Sequence, residues 1–151
     1  MKLIITESQQ NESLKRMVKT HGFDVVAKMV GVNYLVNDVF NGDPYEYLSL
    51  FNNLIHFESE ENPGIFIYKF ESGDNVFVVD SRDSEVNYVY LNYNIFFAPL
   101  LNFSARLLQT VINWLRDNYD IISKIHNVKF FARLQSNGDD NEYGFMAELT
   151  L

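Results

Sequence analysis

The hydrophobic period changes once along this chain, and that change limits the possible folds more than any other feature. Up to about residue 57 apolar residues recur at spacings of three and four, and beyond residue 64 many of them alternate. The first period belongs to helices that bury a stripe, the second to strands that bury a face. Residues 58–63 are polar and acidic and form the expected internal boundary. The expected class is α+β: a helical N-terminal portion, then a βββαββ antiparallel sheet with one covering helix. Residues 1–62 would form a helical subdomain and residues 63–151 the sheet domain, either separate or fused into one.

Local signals refine this outline. Thr6 with Gln9 has the form of a capping box, and Leu14, Met17 and Val18 share a helical face that runs towards His21. Gly22 sits where that helix should stop, and Asp24 can cap a second helix ending before Gly31. Asn33 can cap a third that ends before Gly42, and Asp43-Pro44 fits the start of a fourth. The buried stripe of the fourth would be Tyr47, Leu48, Leu50, Phe51, Leu54 and Ile55. Residues 65–70, 76–80 and 86–93 then read as strands joined by short turns, which favours an antiparallel meander. After Pro99 and Asn102 an amphipathic helix reaches about Tyr119, with Leu101, Leu108, Val111, Ile112, Leu115 and Tyr119 on its buried face. Residues 121–125 are a connection. Alternation at Val128, Phe130, Ala132 and Leu134, a turn at Asn137-Gly138-Asp139, and alternation from Tyr143 to Leu149 predict a closing hairpin.

Composition removes several functions. Twelve Lys and Arg against 20 Asp and Glu give a net charge of −8, which opposes general attraction to phosphate or anionic lipid. No apolar run is long enough to span a membrane, and no secretory signal pattern opens the chain. With no cysteine, disulfides, thiolate metal sites and cysteine nucleophiles are excluded. The charge is also uneven: residues 38–62 hold six acids and no Lys or Arg, and residues 71–85 hold five acids and Arg82 alone. Loop composition accounts for such clusters, and a dipolar surface that docks on an opposite pattern would produce them too.

The segment Val26-Ala27-Lys28-Met29-Val30-Gly31-Val32-Asn33-Tyr34 resembles the turn of helix-turn-helix proteins. A small residue there lets two helices approach, and a glycine four positions later ends the first of them. It departs from that pattern at Asn37, where an aliphatic residue is expected. The resemblance implies Asn33, Tyr34 and Asn37 near base edges, with Arg16, Lys19 and Lys28 on phosphates. Against this, the reading helix would carry Asp38 and no cation. His21, His56 and His126 lack metal-ligand spacing, and neither 80–85 nor 137–142 has the ligand order of a calcium loop. No nucleophile elbow, phosphate loop or zinc-protease motif is present. No catalytic residue, cofactor or metal is therefore expected, and the chain reads as a non-enzyme.

The 23 aromatic residues (thirteen Phe, nine Tyr, one Trp) supply the positive signal. Tyr88, Tyr90, Tyr93, Phe96 and Phe97 fall close together, and aromatic anchors are enriched in the cores of protein interfaces. These five are the candidate protein-contact residues. The opening Lys2-Leu3-Ile4-Ile5-Thr6-Glu7-Ser8-Gln9 resembles the start of many small, mostly uncharacterised proteins of large tailed phages. Segments like Met29-Val30-Gly31-Val32, Val39-Phe40-Asn41-Gly42-Asp43 and Asn113-Trp114-Leu115-Arg116-Asp117-Asn118-Tyr119 recur among them. The resemblance implies a phage-type protein found in the host cytoplasm or the virion. The expected function is non-enzymatic contact with a protein, as a virion component or a binder of a host factor, with homo-oligomerisation open and no membrane. The alternatives are the helix-turn-helix DNA-binding regulator and an acidic inhibitor that imitates nucleic acid through residues 38–62 and 71–85.

Overall fold

Thr6 opens the first helix with both halves of the expected capping box. Its hydroxyl accepts from the Gln9 N–H at 3.2 Å, and the Gln9 side chain accepts from the Thr6 N–H at 3.0 Å. The computed structural model describes residues 6–71, 75–83, 85–103, 106 and 109–119, together with the backbone of 107–108, 125–133 and 143–150; the expected buried side chain of Leu108 lies outside them. Helix α1 spans Glu7–His21 and α2 spans Phe23–Val30, separated by Gly22. Gly31 then leads into α3 (Val32–Tyr34), which continues as a π-helical turn over Leu35–Val39. Asp43 caps α4 (Pro44–Leu48) by accepting from the Tyr45 N–H at 2.9 Å, and a 3₁₀ turn, Ser49–Phe51, follows. The third helix is thus shorter and less regular than its sequence suggests, and it starts from Gly31 rather than from an Asn33 cap.

The second half is a six-stranded sheet in the order β1-β2-β3-β4-β5-β6. Its strands are β1 (Ile55–Glu58), β2 (Ile65–Lys69), β3 (Asn75–Asp80), β4 (Asn87–Asn92), β5 (Ile125–Arg133) and β6 (Tyr143–Thr150). Between β4 and β5 come a π turn (Tyr93–Phe97), the short α5 (Ala98–Leu100) and α6 (Leu107–Asn118). The α+β class and the βββαββ order are as expected, with two differences. Residues 55–58 form an additional strand ahead of the expected ones, so Ile55 is not part of the α4 stripe. The 3₁₀ turn tightens the helix end, and the alternation Ile55-His56-Phe57-Glu58 pairs with β2 instead. The second difference is the β4–β5 pair, which is parallel while every other pair is antiparallel. A helix that crosses between neighbouring strands returns the chain to the end where it began, and this enforces parallel pairing. The predicted turn at 137–139 lies outside the described residues.

One apolar cluster runs from Leu14 and Val18 in α1, through Leu35, Phe40 and Tyr47, to Val111, Trp114 and Leu115 in α6. The expected division at 62/63 falls in the turn between the paired strands β1 and β2. Tyr47 lies at the centre of the cluster with ring centroids 5.8 Å from Phe23, 5.6 Å from Phe40, 5.5 Å from Phe51 and 5.9 Å from Phe103. The first three contacts are edge-to-face and the Phe103 ring is tilted; edge-to-face packing adds to the burial energy of each ring. Its hydroxyl donates to the Ile95 carbonyl, so the one polar atom it buries has a partner. Leu101, expected on the buried face of α6, lies before that helix and is 62% exposed. Trp114 takes the inward position instead, its indole N–H donating to the Asn52 side chain at 2.7 Å.

Candidate functional site

Strand alternation divides the sheet into two faces, and the described residues cover only one of them. On the covered face His56, Tyr68, Phe77 and Leu91 lie in register across β1 to β4, as do Glu58, Phe66, Val79 and Val89. Tyr68 stacks on Phe77 at 4.3 Å, and Trp114 of α6 and Tyr119, the residue that ends it, close over them edge-on to Phe77. The opposite face carries the row Phe57–Ile67–Val78–Tyr90 and, beside it, Ile65–Asp80–Tyr88. Ile65, Ile67, Val78, Tyr88 and Tyr90 are only partly buried, and Ile55 and Phe57 are 43% and 45% exposed. This open face is an apolar strip across four strands, larger than the scattered exposed side chains normal for a surface.

Its polar features are structural. Asp80 is 8% exposed and is gripped by Arg82, whose Nε donates to Oδ1 at 2.9 Å and whose second guanidinium nitrogen donates to Oδ2 at 2.7 Å. The Arg82 backbone N–H completes the set at 3.1 Å. These hydrogen bonds, chiefly those of the side chain, hold the Asp80 carboxyl below its ordinary range. An anion fixed in this way acts as a turn lock. Acids border the strip, with Glu58, Glu60, Glu61, Glu71, Asp83 and Glu85 exposed in the flanking turns and strand.

The five residues named from sequence separate into three groups. Tyr88 and Tyr90 lie together on the open face. Tyr93 and Phe97 stack on each other at 4.8 Å, each partly buried. Phe96 is fully buried against Phe51 and Trp114 and belongs to the core, so the contact role expected of it does not hold. The π turn after β4 rotates Phe96 inward, a displacement that strand alternation does not reveal.

The residues of the DNA alternative are more dispersed. Arg16 and Lys19 are exposed on α1, Lys28 on α2, and Asn33 and Asn37 on the segment that follows. Tyr34 is partly buried and donates to Asn11 at 3.2 Å, so it ties α3 to α1. The presumed reading helix is a single α turn followed by a π turn. Among the described residues no three His, Cys, Asp or Glu are grouped to hold a metal ion, and no helix is long and apolar enough to cross a membrane.

Two apolar features escaped the sequence reading. One is the β1 contribution of Ile55 and Phe57, whose signal was a two-residue alternation hidden at the end of a helical stripe. The other is the outer face of α2 and α3, where Val25, Met29 and Val32 are 48%, 61% and 41% exposed. Their spacing of four and three was legible, because α2 is apolar nearly all round while its inner face already holds Phe23, Val26 and Ala27. No protein-family model, curated protein or solved structure matches the chain.

Proposed function

We propose that this protein works by binding another protein on the open face of its sheet, without catalysis. The row Phe57–Ile67–Val78, over which no described helix lies and which carboxylates border, carries the reading. An apolar centre with tyrosines and a charged rim is the composition of protein interfaces. The acidic border selects a partner surface that is apolar in the middle and basic around it, and the charges steer encounter more than they add affinity. A partner in a virion or among host factors is the reading that the phage resemblance of the sequence favours.

A photo-crosslinking amino acid at Ile67, with Arg116 on the far side of α6 as control position, tests the reading in virion-producing host cells. Adducts of one defined protein mass from position 67, reduced at raised salt, are expected, with none from position 116. Adducts only from the α2 face, at Met29, would refute the placement.

A further inference from the structure

We infer that the protein pairs with a second copy of itself along the free edge of β1, joining two sheets into one. The open face does not enter this argument, so the inference stands or falls apart from the proposed function. Strand β1 ends the sheet order, and all four of its residues are exposed. In an antiparallel ladder, residues alternate between bonding to one neighbour and to the other. Two observed bonds fix the phase. The Ser59 N–H donates to the Ile65 carbonyl at 2.8 Å, and the Ser81 N–H donates to the Gly64 carbonyl at 2.8 Å. The first makes 59/65, 57/67 and 55/69 the bonded pairs of β1 with β2. The second turns Gly64, and by alternation Phe66 and Tyr68, towards β3, which leaves Ile65, Ile67 and Lys69 for β1. The backbone N–H and C=O groups of His56 and Glu58 therefore point outward, away from the sheet.

Only a few registers let such an edge meet its own copy around a two-fold axis. Centred on Phe57, each His56 bonds opposite Glu58 of the second copy, and all the outward groups of both strands are used. Centred on His56, the two imidazoles oppose each other and Glu58 must bond to Leu54, which lies outside the strand. The first register also matches side chains. His56 and Glu58 lie on the helix-covered side, where His56 stacks on Tyr68 at 5.2 Å and Glu58 accepts from the Gly64 N–H at 2.9 Å. Across the two-fold, an imidazole N–H donor faces a carboxylate acceptor twice, and complementary cross-strand pairs of this kind stabilise pairing. The Phe57 rings meet as a non-hydrogen-bonded pair, the closer of the two antiparallel spacings. Natural edges are blunted by shortness, charged side chains, Pro or a bulge. Strand β1 is four residues long and carries Glu58, whose charge the pairing with His56 uses, but it has no Lys or Pro, and the bulge next to it lies between β2 and β3.

Sedimentation of the full chain from about 1 μM to about 1 mM, a span covering weak pairing, reads the association directly. A dimer that dissociates on dilution is expected, and a monomer throughout overturns the inference. His56→Pro should abolish the dimer while the circular dichroism is kept, because the N–H it removes faces outward and β1–β2 bonding is untouched. His56→Glu sets carboxylates opposite each other and should weaken the dimer about tenfold or more. Adding Glu58→His to that variant exchanges the pair and should restore dimerisation. Failure of the exchanged variant to dimerise excludes this register, and loss of the dimer on Met29→Glu instead of His56→Pro assigns it to the α2 face. Either result overturns the inference, and neither bears on crosslinking at Ile67.

Discussion

Tyr47 carries two separable contributions, a ring within four other rings and a hydroxyl that satisfies a buried carbonyl. Tyr47→Phe leaves the Ile95 carbonyl unpaired and should cost about 1–2 kcal/mol, a typical penalty for an orphaned buried acceptor. Tyr47→Ala also opens a cavity and should cost about 3–5 kcal/mol. Urea midpoints of the two variants, with m unchanged, separate the terms. Burial pushes the Tyr47 hydroxyl well above its ordinary value, raises Tyr68, and raises Tyr119 to about 12. A phenol with a higher pKa folded than unfolded stabilises the fold below the unfolded value, 10.0 here. That stabilisation is lost as pH climbs towards the folded values. Stability should therefore decline above about pH 10, and tyrosinate absorbance should show these three phenols ionising late, in step with unfolding. Early ionisation of all nine tyrosines while the fold persists would contradict the buried hydroxyls. Asp80 has the opposite sign. Its lowered pKa stabilises the fold above the unfolded value of 3.8 and fails as pH drops through the folded one. Because Arg82 is exposed, Asp80→Asn should cost only about 0.5–1 kcal/mol at pH 7.

Among the elements, the helix junctions were the most legible part of the fold. Gly22 and Gly31 adopt φ 97° with ψ 155°, and φ 92° with ψ 140°, a region almost closed to other residues. No heavy atom lies within 4 Å of a Cβ added at either one, so any cost of Gly31→Ala arises from backbone conformation. It should be about 1–3 kcal/mol in urea unfolding. The caps at Thr6 and Asp43 and the strands β2, β3 and β4 also follow from local signals, because each depends on neighbours close in sequence. Other elements depended on distant ones. Ile55 could extend a helical stripe or begin a strand, and only β2 arriving at residue 65 decides between them. The inward turn of Phe96 depends on a π turn, which has no residue preference strong enough to read. For the candidate site, Tyr88 and Tyr90 were singled out from sequence because they fall close to Tyr93, Phe96 and Phe97. Ile65, Ile67 and Val78 were passed over, since an apolar strand does not reveal which face its helices will leave open.

For the molecule as a whole, charge decides which partners are admitted. The cations at Arg16, Lys19 and Lys28 are outnumbered on a surface of net charge −8, so duplex DNA should bind weakly or not at all at moderate salt. A fluorescence titration across salt checks this. Affinity that falls steeply with salt and is reduced by Arg16→Ala with Lys19→Ala would favour the DNA-regulator alternative.

The parallel β4–β5 pair has a consequence in time. Strands β1 to β4 meet their neighbours across short turns, but β5 begins 33 residues after Asn92, the interval between residues 92 and 125, and α6 lies within that interval. Non-local pairings of this sort form slowly. Pulse-labelled hydrogen exchange during refolding should protect β2 and β3 amides before those of β5, and simultaneous protection would rule this order out. Until β5 arrives, the newly made chain is four of the six strands with β4 as a temporary margin, so for that interval a strand that ends up in the interior of the sheet is offered to its neighbours on the ribosome.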